Sequence, residues 1–241
     1  MLDYGLIMPA SLPWRSSSAT CCGLRHQVNE DSIVDLANAG VFVVADGVGG
    51  HTDGALASRS IAEIVRRVAY INSSLDAKVA DIEAALHSVN AALHSEAKSR
   101  SGGVIIGSTV AALILDHHYA VCLWSGDSRI YLRRKDQLYQ LTRDHTVDPD
   151  DDHPGGSGIL THAVGSADTL VLDRVVTAIH AGDTFLVCSD GVTKTLSDLD
   201  LEAMLADSID GLAATVVTRA VDQGATDDVS AILIRCIETA A

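Results

Sequence analysis

Positive charge is scarce in this sequence, and the shortage limits the partners that the protein could bind. Lysine and arginine number 17 against 32 aspartate and glutamate residues, so the formal net charge is −15. Such a chain repels the phosphate backbones of nucleic acids and the headgroups of anionic membranes. We therefore expect neither a nucleic acid nor a membrane surface among its partners.

Long apolar runs are equally scarce. No stretch approaches the roughly 18 to 20 consecutive apolar residues that a membrane-spanning helix requires, so we expect no membrane insertion. The N-terminal stretch MLDYGLIMPASLPWR has neither the basic start nor the apolar core of a secretory signal peptide. The sequence therefore predicts a soluble, cytoplasmic protein.

Cysteines are too few and too scattered for a disulfide framework. There are five, an odd number. Cys122, Cys188 and Cys236 lie within apolar strand-like runs, whereas Cys21 and Cys22 are adjacent. This use is typical of small core residues in a reducing compartment, and it predicts neither disulfides nor a zinc site.

No linker rich in proline, glycine or serine divides the middle of the chain, whose 241 residues could form one large domain or two small ones. Residues 1–16 hold two of the four prolines and show no clear period, so we interpret them as a tail or an edge segment. A stretch rich in aspartate and glycine at about residues 146–159 has no apolar period and predicts a surface loop. We expect a single domain over residues 17–238.

Apolar periodicity predicts two long helices followed by closely spaced strands. Residues 57–71 and 79–93 repeat apolar side chains at steps of three and four, which is typical of amphipathic helices. Short apolar runs joined by polar turns follow between residues 109 and 141, and this spacing favours an antiparallel meander. Because strands and helices occur in separate groups, the sequence predicts an α+β fold in layers.

Turn and cap residues predict further boundaries. A first strand is expected at residues 20–23. Ser197 is a good N-cap for a helix, and Ser208 or Asp210 could cap another helix that ends near Gly224.

The most informative stretch is VFVVADGVGGH, residues 41–51. Its first half is a short β-branched run typical of a strand buried on both faces, and the run ends at Asp46. Gly47, Gly49 and Gly50 then form a tight turn with few side chains to block a ligand. A carboxylate at this place suits a hard-metal ligand or a catalytic acid, but a plain turn capped by an aspartate would have the same pattern.

Four aspartates lie at the ends of predicted strands, and their directions allow them to meet. Asp46 and Asp190 follow their strands, Asp227 precedes its strand, and Asp127 follows another apolar run. In antiparallel sheets the start of one strand lies beside the end of its neighbour. Carboxylates packed so closely repel one another unless divalent cations neutralise them, and all-oxygen ligands favour Mg²⁺, Mn²⁺ or Ca²⁺ over zinc. Ordinary Asp-Gly turns are the alternative.

A series of short motifs, in one order along the chain, resembles a known family. The motifs are NED (29–31), ADGVGGH (45–51), GST (107–109), SGDSRIYL (125–132), LTRDHT (141–146), LTHAVG (160–165), LVCSDGVTKTL (186–196) and ATDDVSAILI (225–234). Together they resemble those of the metal-dependent protein phosphatases, the protein phosphatase type 2C family, in its bacterial serine/threonine form.

The resemblance implies a four-layer α/β/β/α sandwich, in which two mainly antiparallel sheets are flanked by helices. It implies hydrolysis of phosphoserine and phosphothreonine on proteins through attack by a water that bridges two Mn²⁺ or Mg²⁺ ions. The expected partners are phosphorylated proteins, including a serine/threonine kinase and its targets, and the expected state is a monomer.

The resemblance also implies roles for individual residues. Asp46 would bridge the two ions, with the Gly47 carbonyl on one of them, and Asp190 and Asp227 would complete the other. Asp127 would hold a weaker third ion together with Asp190. The expected acidic residues that bind metal-held waters are Glu30 and Asp31.

The chain departs from the family where substrate phosphate should bind. The family places an arginine four residues before the glutamate of the NED motif, but His26 occupies that position and Arg25 precedes it. Either a local bulge lets Arg25 bind phosphate, or His26 takes this role, or phosphate binding is weakened.

Three further departures concern the leaving group, the flap and the last motif. Val48 stands where eukaryotic members have a histidine, which leaves His51 or a metal-held water as proton donor. The loop at about residues 146–159 corresponds to the family's flap and is short. Asp228 stands where the family commonly has asparagine.

Two other functions are compatible with the same residues. A catalytically weak phosphoprotein-binding regulator of this fold would keep phosphate recognition without turnover, and the displaced arginine is its best support. The short flap would also permit a small-molecule phosphohydrolase. The intact set of Asp46, Asp190 and Asp227 favours the protein phosphatase.

Overall fold

The computed structural model describes residues 13–49, 51–72, 74–101, 103–147 and 159–237, with only the backbone at residues 51 and 52. Residues 1–12 of the predicted tail, most of the predicted flap (148–158) and the side chain of His51 lie outside the described residues. None of the helices in these ranges combines the length and the apolar character that a bilayer crossing demands.

Two five-stranded antiparallel sheets form the centre of the molecule. The strands are β1 (Trp14–Cys21), β2 (Ser32–Leu36), β3 (Val41–Ala45), β4 (Gly47–Val48), β5 (Gly107–Ser108), β6 (Val110–Leu115), β7 (Tyr119–Ser125), β8 (Arg129–Arg134), β9 (Gln137–Gln140), β10 (Thr146–Val147), β11 (Ile159–Leu160), β12 (Asp173–Ala178), β13 (Thr184–Cys188) and β14 (Val229–Cys236). The α-helices are α1 (His51–Val68), α2 (Leu75–Ser99), α3 (Asp190–Thr193), α4 (Asp198–Met204) and α5 (Leu212–Asp222). One sheet has the order β12-β7-β6-β3-β2 and the other has the order β1-β14-β13-β8-β9.

The central strand β3 shows why the layers form. All five of its residues are buried, and successive side chains of a strand point to opposite faces. Val41 and Val43 therefore join a cluster with Ile61 and Val65 of α1. Phe42 joins the cluster between the two sheets.

The other sheet repeats this arrangement. Phe185 of β13 and Ile232 of β14 point into the cluster between the sheets. Leu186 and Leu233 point outward into a third cluster, which includes Val216 of α5. The order of layers is thus helices, sheet, sheet, helices, which confirms the predicted four-layer α/β/β/α sandwich.

The first strand begins earlier than predicted. It runs from Trp14 to Cys21 instead of over residues 20–23, and all eight of its residues pair with β14. The sequence WRSSSATC has no apolar run, so the strand is formed by its partner's hydrogen bonds and by the Trp14 indole, which donates to the Ala37 carbonyl at 3.0 Å. The last residues of the predicted tail therefore belong to an edge strand.

The helix boundaries also differ from the prediction in places. Ser197 caps α4 in a reciprocal capping box with Asp200, as predicted. The N-cap of α5 is Gly211, with a φ of 73°, and not Ser208 or Asp210. Ile71 lies beyond the end of α1 and is 64% exposed, so it does not belong to the buried face.

Candidate active site

Asp46 is held by its backbone at the end of β3. Its N–H donates to Thr109 Oγ1 at 3.1 Å, and its carbonyl accepts from the Thr109 N–H at 2.8 Å. The Thr109 hydroxyl also shares a hydrogen bond with Ser128 Oγ at 2.7 Å. These bonds fix the backbone of Asp46, whose carboxylate interacts with those of Asp31 and Asp190.

The turn after Asp46 packs too tightly for any residue except glycine. A Cβ on Gly47 would lie 2.4 Å from the carbonyl of Gly54 in α1, and a Cβ on Gly54 would lie 2.3 Å from Glu30 Oε2. The Glu30 carbonyl accepts from Ser58 Oγ at 2.5 Å. Glu30 therefore packs against the first turns of α1, beside the turn that follows Asp46.

Asp31 is buried and is bound by two serines from the other sheet. Ser189 Oγ and Ser230 Oγ donate to its Oδ2 at 2.8 and 2.6 Å. Burial raises the pKa of Asp31 to about 7, although the two hydroxyls oppose that rise. Its other oxygen, Oδ1, is buried without a hydrogen bond to the described residues.

Asp190 and Asp227 meet because β13 and β14 are antiparallel neighbours. Cys188 pairs with Ala231, so the end of β13 lies beside the start of β14. A Cβ on Gly191 would lie 2.1 Å from the Asp228 carbonyl, which shows how closely the two segments approach.

A lysine that the sequence did not single out lies between these two aspartates. Lys194 Nζ contacts Asp190 Oδ2 and lies 3.5 Å from Asp227 Oδ2. It follows Asp190 by four residues, across the turn of α3, so that both side chains reach the same side.

The carboxylates lie near enough to one another to shift their ionisation. Loss of hydration first, and then repulsion by Asp31, Asp190, Asp227 and Asp127, raises the pKa of Asp46 well above its ordinary value. Burial also raises the pKa of Asp190, whose carboxylate lies within hydrogen-bonding reach of Asp46. Burial and repulsion by Asp190 raise the pKa of Asp127 to about 6. The structure thus brings together the acidic residues that the sequence placed at strand ends.

Two observations bear on whether these residues fit metal ions. In the described ranges, no three histidine, cysteine, aspartate or glutamate side chains form a ready-made metal cage. However, buried Oδ1 atoms of Asp31 and Asp190 have no hydrogen-bond donor within those ranges. Buried carboxylate oxygens need a compensating partner. A set of carboxylates with unsatisfied oxygens fits hard divalent cations. A cation at Asp190 and Asp227 would first have to displace the Lys194 ammonium.

The loop that carries Asp127 is anchored by His145. The Gly126 N–H donates to His145 Nδ1 at 3.2 Å, and His145 Nε2 lies 3.3 Å from Asp173 Oδ2. The imidazole is stacked on Trp124, with ring centroids 6.1 Å apart. Because Nδ1 accepts, Nε2 is the ring nitrogen that faces Asp173 and can donate to it.

The two candidates for phosphate binding lie in different surroundings. The Arg25 side chain is exposed and makes no hydrogen bond or ion pair with the described part of the chain. The backbone N–H of Arg25 donates to the Thr226 carbonyl at 3.1 Å. His26 Nδ1 lies 3.0 Å from Asp228 Oδ2 and 3.9 Å from Asp227 Oδ1. A hydrogen bond with Asp228 is the main cause that raises the pKa of His26.

Asp228 organises the loop that carries Glu30. Its Oδ1 accepts from the Gly23 N–H at 2.8 Å, and its Oδ2 accepts from the Glu30 N–H at 2.7 Å. Burial alone would raise the pKa of Asp228, but these two donors and His26 bring it below its ordinary value. From the sequence, Asp228 was noted only because the family commonly has asparagine there, and its hydrogen bonds to this loop were not predicted.

Several residues of the site had a local signal that sequence reasoning did not use. Ser189 precedes Asp190, and Ser230 lies two residues after Asp228, where a strand places side chains on the same face. His145 lies in the LTRDHT motif (141–146), which does not by itself assign the histidine a role. Lys194 follows Asp190 by four residues, a spacing that pairs side chains on a helix, whereas its approach to Asp227 depends on how α3 joins β13.

The chain is similar to one protein family and to several bacterial phosphatases. The family model described as Protein phosphatase 2C matches residues 23–227. The serine/threonine phosphatase stp of Listeria monocytogenes serotype 4b is 29% identical over 234 residues, which cover 88% of this chain and 91% of the relative. The serine/threonine protein phosphatase PstP of Mycobacterium tuberculosis is 28% identical over 90% of this chain and 44% of that longer protein.

Solved structures with the same fold were also found. A structure described as PppA, a key regulatory component of T6SS in Pseudomonas aeruginosa, is 36% identical with a TM-score of 0.87, and covers 93% of this chain and 98% of its own. The catalytic domain of PstP in complex with two manganese ions is 24% identical with a TM-score of 0.80, over 93% of this chain and 99% of its own, which shows a common fold. The motif resemblance is thereby confirmed, and the chain belongs to the protein phosphatase 2C family.

Proposed function

We propose that this protein is a serine/threonine protein phosphatase that hydrolyses phosphoserine and phosphothreonine on proteins with the help of two Mn²⁺ or Mg²⁺ ions. The proposal rests on one observation: Asp46, Asp190 and Asp227 lie close together at one end of the sandwich, and buried Asp31 lies beside them. Family membership and the named phosphatase relatives support the same reaction.

The carboxylates are the proposed metal ligands. Asp46 would contact both ions, the Gly47 carbonyl would contact one, and Asp190 and Asp227 would hold the other. Asp127 would hold a weaker third ion together with Asp190. Bound there, divalent ions lower the pKa of water and neutralise charge on a phosphate.

The remaining residues of the site would position water and hold the ligands in place. Glu30 is wedged beside the Asp46 turn and Asp31 is bound by two serines, so both carboxylates are preorganised. We assign them to hydrogen bonds with waters at the metals. Preorganised acceptors orient a nucleophilic water without rearrangement during the reaction.

Arg25 is the proposed phosphate ligand, because its exposed side chain has no partner within the described residues, whereas His26 is bound to Asp228. A guanidinium can donate to two phosphate oxygens at once. His51 remains the proposed proton donor for the leaving alcohol.

The proposed substrates are phosphorylated proteins in the cytoplasm, including a serine/threonine kinase and the targets of that kinase. We propose that the chain acts as a monomer, through the single domain predicted over residues 17–238, extended at its start by the part of β1 that begins at Trp14. The bacterial relatives that are named as serine/threonine phosphatases support protein substrates in general.

Hydrolysis of a phosphothreonine peptide tests the proposal. We expect turnover with Mn²⁺, loss of turnover on chelation, and recovery when Mn²⁺ is restored. Tight peptide binding without turnover would instead indicate a phosphoprotein-binding regulator. A strong preference for small phosphate esters over phosphopeptides would indicate a small-molecule phosphohydrolase.

A further inference from the structure

Lys194 occupies the place where positive charge is most needed in the carboxylate cluster. Its ammonium contacts Asp190 and lies 3.5 Å from Asp227 Oδ2, and these two residues are the proposed ligands of one ion. Among the described residues, ion pairs to these two aspartates come from Lys194 and from His26, whose Nδ1 is 3.9 Å from Asp227. Lys194 thus supplies a full, permanent charge at this point.

The ammonium and a divalent ion would compete for the same oxygen atoms. Lysine presents a compact point charge, so it can occupy a cation position between two carboxylates. However, its three N–H groups cannot ligate a metal. Binding of an ion to Asp190 and Asp227 therefore requires that the ammonium leave them.

The structure gives Lys194 a route away from the cluster. Its side chain is 44% exposed, whereas that of Asp190 is 12% exposed. It also borders a cleft of about 230 Å³, but Asp227 lines that cleft together with Thr195 and Gln223, so the way out of the cluster is toward solvent. A long, flexible and partly exposed lysine can therefore rotate into solvent, away from both aspartates, without a change in the fold.

We propose that Lys194 is an internal counterion of the metal-free site, which competes with divalent ions for Asp190 and Asp227 and so sets the metal affinity. This inference rests on the proposed two-metal site. Only molecules in which the lysine has left the two aspartates can bind the metal ion. The apparent dissociation constant for the ion equals the intrinsic constant divided by the fraction of such molecules. If about nine molecules in ten hold the ion pair, removal of the lysine should tighten binding about tenfold.

The competition has a second consequence for stability. The contact of Lys194 with the two aspartates exists only when no metal is bound. Its free energy therefore stabilises the metal-free protein and weakens metal binding by the same amount. Removal of the lysine should therefore lower the melting temperature of the metal-free protein. It should leave the melting temperature of the Mn²⁺-saturated protein close to that of the wild type.

Mn²⁺ titration of the chelator-treated full chain tests the inference. Isothermal titration calorimetry would compare wild type with Lys194→Gln, Lys194→Arg and Lys98→Gln. The last variant removes the same charge from an exposed residue in the final turn of α2, so it controls for net charge. We expect Lys194→Gln to bind Mn²⁺ about three- to tenfold more tightly, while Lys194→Arg and Lys98→Gln remain within about twofold of wild type.

Thermal unfolding of the same variants gives the second readout. We expect metal-free Lys194→Gln to melt below wild type and Lys194→Arg to restore stability. Unchanged or weaker Mn²⁺ binding by Lys194→Gln would overturn the inference; a rise in KM for phosphopeptide with weaker binding would indicate that the lysine contacts substrate instead. Failure of the wild type to bind Mn²⁺ at all would refute the proposed function itself, so the two failures are distinguishable.

Discussion

At the scale of single residues, the acidic residues of the site are positioned by different kinds of interaction: backbone hydrogen bonds, serine hydroxyls or an ion pair. Asp46 is positioned by backbone bonds to Thr109, and Asp31 is positioned by the hydroxyls of Ser189 and Ser230. Asp190 is neutralised by Lys194. These differences predict that substitutions of the individual carboxylates will have unequal consequences.

Removal of the proposed ligands should abolish turnover. Because Asp46 would contact both ions, Asp46→Ala should leave no measurable Mn²⁺-dependent hydrolysis. Asp190→Ala and Asp227→Ala should each lower kcat/KM by about two or more orders of magnitude. Steady-state kinetics on a phosphothreonine peptide would measure this.

Asp210→Ala is the matched control, since Asp210 is exposed and distant in sequence from the proposed ligands. It should behave as wild type. An Asp46→Ala enzyme with near-normal Mn²⁺-dependent activity would show that the metals bind elsewhere.

The proposed role of Arg25 can be separated from that of His26 by kinetics. Arg25→Ala should raise KM about tenfold, which corresponds to roughly 1.4 kcal/mol of lost ground-state binding. His26→Ala should affect KM less, since His26 faces Asp228. Arg15→Ala, at an exposed position of β1, serves as the control for loss of charge. If His26→Ala raises KM and Arg25→Ala does not, the histidine binds phosphate and the assignment is wrong.

At the scale of elements, the connection between β7 and β8 sets the position of Asp127. Its backbone is tied to His145 through Gly126, and His145 is held by Asp173 of β12 and by Trp124 of β7. His145 directly precedes β10, which pairs with β11 at the base of the flap. One imidazole therefore joins the Asp127 loop to the start of the flap.

We expect Asp127→Ala to keep two tightly bound Mn²⁺ ions and to lose most of its phosphatase activity, because only the weaker third ion is removed. His145→Ala should produce a milder form of the same defect through movement of the Asp127 loop. His145→Asn should retain more activity, since its amide oxygen can still accept from the Gly126 N–H. Mn²⁺ stoichiometry by calorimetry and phosphopeptide kinetics would be measured together. Loss of a tightly bound ion in Asp127→Ala would refute the distinction between the sites.

At the scale of the whole molecule, the metal-free protein should become less stable as the pH rises. Burial raises the pKa of Asp31 to about 7 and of Asp127 to about 6, so the folded state binds more protons than the unfolded chain between pH 4 and 7. Stability falls with pH wherever the folded state holds more protons. The melting temperature of chelator-treated protein should therefore decrease from pH 5 to pH 8.

Saturating Mn²⁺ should flatten this dependence and raise the melting temperature, because the ions neutralise the same carboxylates and bind only the folded state. Asp31→Asn should also weaken the slope of the metal-free protein, since it removes the group that titrates near pH 7. Thermal unfolding at three pH values, with and without Mn²⁺, measures both effects. A metal-free protein that gains stability from pH 5 to pH 7 would contradict the carboxylate cluster.

Much of the fold was predictable from sequence because its central strands carry strong local signals. The predicted bounds of β3 match the structure, since it is a short apolar run limited by turn residues. Strand direction alone then indicated that Asp46, Asp190 and Asp227 could meet at one end of the sandwich. Local periodicity failed for β1, whose serine-rich sequence becomes a strand only through its pairing with β14.

The sequence by itself determined the family, through short motifs in one order, and the α+β class, through the grouping of strands and helices. The resemblance then implied the four layers and the roles of the acidic residues. Only the tertiary structure decided what surrounds each carboxylate. The Ser189 bond to Asp31 joins residues 158 positions apart, and the Asp228 bond to Gly23 joins residues 205 apart. Lys194 reaches Asp227 because α3 follows directly on β13 beside β14. Contacts of this kind arise when the sheets close, and no local pattern in the chain identifies which distant residues will be partners.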